Sequence, residues 1–169
     1  MRAVVSAEVM QATSQQVGAS SGARVFAMER AFGKHQYELS GFVVAYISHL
    51  SAEANGLALY AYIVICQAFK RSGAALRKVA GARIVRQWEA TGQHLAGFQA
   101  TGGRLESLLP SIACSERVVL AYIAGALSHD REDPVNLTSE EYWHSARVLI
   151  TATECLHQAS KTRWSICAP

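Results

Sequence analysis

Apolar residues recur along this chain at the three- and four-residue spacing of α-helices, and nowhere do they alternate long enough to make a strand. The densest runs come in two similar pairs. Phe42-Val43-Val44-Ala45-Tyr46-Ile47 followed by Leu57-Ala58-Leu59-Tyr60-Ala61-Tyr62-Ile63-Val64-Ile65-Cys66 is echoed by Val118-Val119-Leu120-Ala121-Tyr122-Ile123 followed by Arg147-Val148-Leu149-Ile150-Thr151-Ala152. The pattern predicts an all-α fold, a helical bundle built from two similar αα-hairpins with a basic stretch between them. Helices are expected at 24–33, 36–50, 54–71, 74–99, 104–109, 115–129 and 138–160. The segments 57–69 and 118–127 are apolar almost all round, which predicts burial on every side and a central place in the core.

Local punctuation sharpens two boundaries. Gly73 is suited to close the helix that ends near 71, because glycine tolerates the left-handed cap while Lys70 and Arg71 complement the negative end of the helix dipole. Thr138 and Glu141 have capping-box spacing, with Leu137 and Tyr142 placed to pack as a hydrophobic staple. Residues 11–23 are polar, small and Gly/Ser-rich, the composition of a flexible linker. The expected organisation is a short N-terminal helix and linker over 1–23, then a single all-α domain over 24–169.

Composition narrows the class. With 169 residues, half of them hydrophobic, the chain can bury a real core. The four cysteines, Cys66, Cys114, Cys155 and Cys167, show no CxxC spacing and mostly sit among apolar helical residues, where a free thiol behaves as a small hydrophobe. That suits a reducing compartment. The N-terminus leads into polar residues instead of a signal-peptide core, so Asn136-Leu137-Thr138 reads as a coincidental glycosylation sequon. The apolar run 57–66 falls short of the roughly 20 residues that span a bilayer. The expectation is a soluble, intracellular and cytoplasmic protein with no membrane partner.

A formal net charge of +3 is mild, but its placement is uneven. No acid occurs between Glu53 and Glu89, while Lys70, Arg71, Arg77, Lys78, Arg83 and Arg86 fall together; from Asp130 to Glu141 the balance reverses. Such asymmetry can dock an anionic partner or a second copy of the chain. Around Gly81 the basic stretch has the flavour of a helix-turn-helix closed by Trp88, although Gly81 to Trp88 is about two residues shorter than usual. The simpler alternative is one continuous amphipathic helix with Leu76, Val79, Ala80, Ile84 and Trp88 inward and the basic residues solvated.

Candidate chemistry is thin. Glu141/His144 and Glu154/His157 have the Glu-x-x-His spacing of di-iron helices, but di-iron bundles need the two pairs on different helices. At about 100° per residue these two diverge by roughly 140° around one helix, so neither a metal nor another cofactor is expected. His144, Arg147, Thr151 and Glu154 read as a solvated face, with His157 at the core edge near Ala146 and Ile150. His49 and Glu53, four apart, read as a local surface contact. No G-x-S-x-G, dinucleotide or P-loop motif is present, which removes the usual support for hydrolase, dinucleotide and kinase functions.

Taken in order, the Tyr46-Ile47 helix, the buried helix ending Cys66-Gln67-Ala68-Phe69-Lys70, and Leu76-Arg77-Lys78-Val79 resemble the middle of a cyclin-box repeat, as in cyclins and transcription factor IIB. Cys114-Ser115-Glu116, Val119-Leu120-Ala121-Tyr122-Ile123, Leu137-Thr138-Ser139, and His144 with Leu149-Ile150-Thr151 are similar in order to cyclins that partner kinases. The resemblance covers about residues 36–160 and departs from the family where a late lysine is not matched around 154–158. It implies a helical surface that binds a protein. The expectation is a non-catalytic interaction domain for a protein partner or a second copy. The alternatives are a nucleic-acid-binding module using the six basic residues, and an enzyme or small-ligand carrier with an apolar pocket between helices.

Overall fold

The computed structural model describes residues 4–100, 102–112, 114–128 and 135–160. Cys167 and the acidic residues Asp130, Glu132 and Asp133 lie outside them. Among the described residues the secondary structure is entirely helical: α1 (Ala7–Gly18), α2 (Gly22–His35), α3 (Tyr37–Ile47), α4 (Ala52–Arg71), α5 (Gly81–Gln99), α6 (Leu105–Leu108), α7 (Arg117–Leu127) and α8 (Ser139–Ala159). The all-α bundle read from the hydrophobic spacing is the fold.

The bundle is organised around α4 and α8, which pack on each other. α8 also touches α3, α5 and α7, while α4 carries α1 and α2 on its outer side. Fifteen of the twenty-one residues of α8 are buried, so it, and not 118–127, is the second central helix. In α7, Ala121 and Gly125 face solvent while Val119, Leu120, Ile123 and Leu127 are buried. The correction has a physical reason. The polar residues of α8 are small, bond back within the helix, as Thr153 Oγ1 does to the Leu149 carbonyl, or find partners elsewhere in the fold, as Glu154 does at Ser115 N, so its sequence looks half-solvated while its environment is dry.

Helix ends follow local chemistry. Ser6 and Ser51 accept from the backbone N–H groups of Val9 and Ala54 and start α1 and α4. Thr138 and Glu141 form both halves of the capping box that starts α8. Gly73 adopts φ +74° just after α4, the left-handed cap for which glycine is suited.

Two segments differ from expectation. Residues 11–18, read from composition as linker, continue α1, because Met10, Thr13 and Val17 make a buried stripe against α4 and α7. Residues 74–80, expected as the first part of a helix from 74 to 99, are not helical. Gln36, buried between α2 and α3, holds them in place: its Nε2 donates to the Arg77 carbonyl at 2.8 Å and its Oε1 accepts from Val79 N at 3.0 Å. Arg77 N donates to the Ala159 carbonyl at 3.2 Å, and the Glu38 carboxyl accepts from Gly81 N at 2.5 Å, capping α5 from outside. By length and composition α4 could cross a membrane, but more than half of that span is buried by the other helices.

Candidate interaction surface

Three helices bring an aromatic patch to the surface. Phe42 and Tyr46 lie one turn apart on α3, with ring centroids 4.5 Å apart. Trp88 of α5 meets both edge-on, at 5.6 Å from Phe42 and 4.6 Å from Tyr46. Such offset and T-shaped pairs are the preferred aromatic geometry. Tyr46 remains 38% exposed, and Val85, one turn before Trp88, is 57% exposed.

α8 supplies the polar side of the patch through His144 and Arg147. The Arg147 guanidinium lies 3.6 Å from the Trp88 ring centroid, and its Nε and Nη2 donate to the Trp88 carbonyl at 3.3 and 2.9 Å. A Cβ at position 92 would collide with that guanidinium, so Gly92 is what lets Arg147 reach across α5. His144 Nε2 is 2.7 Å from the Tyr46 carbonyl. A carbonyl can only accept, so the imidazole donates there. Burial lowers the proton affinity of His144 from its ordinary value, the bond to Tyr46 works against that, and the nearby His49 and Arg147 lower it further. The His49 ring meets His144 edge-on at 4.6 Å, which places His49 in this cluster. A recess of about 470 Å³ opens beside the patch, lined by Gln99, Ser139, Glu140, Trp143, His144 and Arg147.

The six basic residues are all exposed but divide between neighbouring sites. Lys70 and Lys78 line a groove with Phe32, His35, Gln36, Ala74 and Leu76. Arg83 and Arg86 line a separate recess with Gln87, Ala90 and Gln158. Arg71 and Arg77 belong to neither lining. With 74–80 not helical, the helix that a helix-turn-helix needs just before Gly81 is missing, and the continuous 74–99 helix is equally absent.

The Glu-x-x-His pairs separate in space. Glu141 accepts from Thr138 N, Thr138 Oγ1 and Ser51 N at 2.9, 3.0 and 3.0 Å. Hydrogen bonds from the Ser51 side chain and then the Thr138 and Ser51 backbone push its carboxyl down to about 2. Glu154 accepts from Ser115 N at 2.6 Å and Ser115 Oγ at 3.1 Å, and His157 Nδ1 lies 2.5 Å from Glu116 Oε1. Thr151, Glu154 and His157 are all buried, which corrects the reading of Thr151 and Glu154 as part of a solvated face and of His157 as a core-edge residue. For Glu154 and His157 the cause lies outside the helix: the 114–116 segment packs against the end of α8 and supplies their partners.

Glu116 itself was not legible as special. Fully buried, it accepts from Val4 N at 2.7 Å and Val5 N at 3.1 Å as well as meeting His157. The cysteines are equally enclosed: burial pushes the Cys114 and Cys155 thiols up to about 12, and Cys66 higher still, the opposite of what a nucleophilic thiol needs. Among the described residues no three His, Cys, Asp or Glu side chains converge as a metal site. No protein-family model, curated protein or solved structure matches the chain, so the cyclin-box resemblance rests on the quoted residues alone.

Proposed function

We propose that the chain is a non-catalytic helical interaction domain that docks a protein partner on its α3–α5–α8 aromatic face. The observation that carries this reading is the surface cluster of Phe42, Tyr46, Trp88 and Arg147. Tyr, Trp and Arg are the residues that most often dominate binding energy at protein interfaces. Here Trp88 and Arg147 are already stacked and hydrogen-bonded, so little side-chain freedom is lost on docking. The burial of the cysteines and of Glu116 and His157 adds support, because it closes the most reactive groups off from a substrate. An intracellular setting fits three free, buried thiols.

The test places a photo-crosslinking residue at Val85, beside the patch, and as a control at exposed Gln15 on α1. The Val85 probe should capture one protein saturably in the native cell, the Gln15 probe should not, and Tyr46→Glu should abolish the capture. Light scattering over a range of concentrations reports whether that protein is a second copy. Equal capture from both positions, or capture indifferent to Tyr46→Glu, overturns the proposal. Tight, steeply salt-dependent duplex binding lost on reversing Arg77, Lys78, Arg83 and Arg86 to Glu would put the nucleic-acid reading in its place.

A further inference from the structure

We propose that the groove between the ends of α2 and α4 and the non-helical 74–80 segment binds a small apolar carboxylate, such as a medium-chain or aryl carboxylic acid. The groove shares no residue with the aromatic face and does not depend on the function proposed for it.

The groove holds about 400 Å³, within the range of roughly 300–1,000 Å³ typical of small-ligand sites. Phe32, Ala74 and Leu76 give it an apolar lining, and the polar residues in the lining are His35, Gln36, Lys70 and Lys78, with no acid among them. That combination of an apolar floor and cationic rim complements an apolar body ending in an anion.

The walls are preformed. The Phe32 ring stands edge-on to Tyr62 at 6.3 Å, and Gln36 fixes the 74–80 segment through its two bonds to Arg77 and Val79. A ligand therefore meets a groove whose backbone is already ordered, which lowers the entropic cost of binding. Lys78 Nζ rests 5.6 Å from the Tyr37 ring centroid at the rim, within a side-chain rotation of the opening.

An opposing field comes from the carbonyl ends of α2 and α4, each equivalent to roughly half a negative charge. Much of it is already answered: Gln36 N donates to the Phe32 carbonyl, and Ser72 donates through its N to Ala68 and through its Oγ to Phe69. The two full lysine charges therefore decide the sign, and the groove favours an anion.

Calorimetric titration with octanoate, octan-1-ol and octylammonium, which share a tail and differ in head group, tests the assignment. Octanoate should bind saturably at one site, and octylammonium about tenfold more weakly or worse. Acetate, with the charge but no tail, should not bind measurably. Lys70→Glu/Lys78→Glu, both exposed positions, should weaken octanoate about tenfold or more and reverse the preference toward octylammonium. Ala74→Trp, which fills the groove, should block both, with circular dichroism confirming that each variant is folded. No saturable octanoate binding, equal binding of the three head groups, or binding untouched by both variants overturns the proposal.

Discussion

Glu116 pins the start of the chain to its last helix, and replacing one of its oxygens shows how much that is worth. In the native structure Oε1 serves Val4 N and His157 Nδ1, and Oε2 serves Val5 N, all where neither side chain is more than 1% exposed. Glu116→Gln keeps the shape but exchanges one acceptor for an NH2 group. One backbone N–H of Val4 or Val5 is then buried against a donor, a cost of about 1–3 kcal/mol, and the remaining bonds weaken to neutral ones, so the expected loss is about 2–4 kcal/mol. His157→Leu removes the other partner of the buried pair and should cost about 3–5 kcal/mol. Because the two act on one network, the double variant should be less destabilised than the sum, by about 0.5–3 kcal/mol. Urea unfolding measures the totals, and amide exchange at Val5 and Met10 reports the local effect. Exchange at Val5 should accelerate in Glu116→Gln by more than the global loss explains. Coincident unfolding midpoints for wild type and Glu116→Gln, or a global loss that leaves Val5 exchange at its global limit, would refute the reasoning.

Further predictions rest on independent contacts. The Glu141 carboxyl is held at about 2 against an ordinary 4.5; a depressed acid stabilises the fold above its unfolded value and loses that contribution as pH falls through its folded value. Glu141→Gln should therefore flatten the acid limb of stability between pH 4.5 and about 2, and an unchanged profile there would show that the cap is not the source. Gly92→Ala gains helix propensity of about 1 kcal/mol but drives Arg147 off the Trp88 face, which forfeits about 0.5–2 kcal/mol. Net stability should thus move by no more than about 1 kcal/mol, while the Arg147 Nε–H signal in NMR reverts to rapid exchange; a signal that stays protected counts against the stacking. Thr151 Oγ1 is buried without a hydrogen-bond partner among the described residues, so Thr151→Val should be neutral or stabilising by up to about 1–3 kcal/mol in thermal melts, and a clear drop in melting temperature would mean the hydroxyl has a partner.

The sequence by itself determined what short-range chemistry controls. The capping box at Thr138 and Glu141, the left-handed glycine at 73 and the dry run 61–66 depend on residues within a few positions of one another, and each is formed as the spacing implies, although Leu57, Leu59 and Tyr60 at the start of that helix are only half-buried. What lay beyond reach are partners far apart in the chain. The 74–80 segment is held out of a helix because Gln36, about forty residues earlier, takes its backbone groups, and α8 is central because the 114–116 segment and the N-terminus satisfy its buried end. The aromatic patch unites α3, α5 and α8, and the sequence shows its members only apart: Phe42 and Tyr46 in one apolar run, Trp88 as an inward-facing residue, His144 and Arg147 on a solvated face. A helix's own periodicity shows which residues could be buried together. Only the tertiary structure decides whether a polar residue such as Glu154 or His157 joins them, because burial becomes tolerable once a distant donor or acceptor is brought into range.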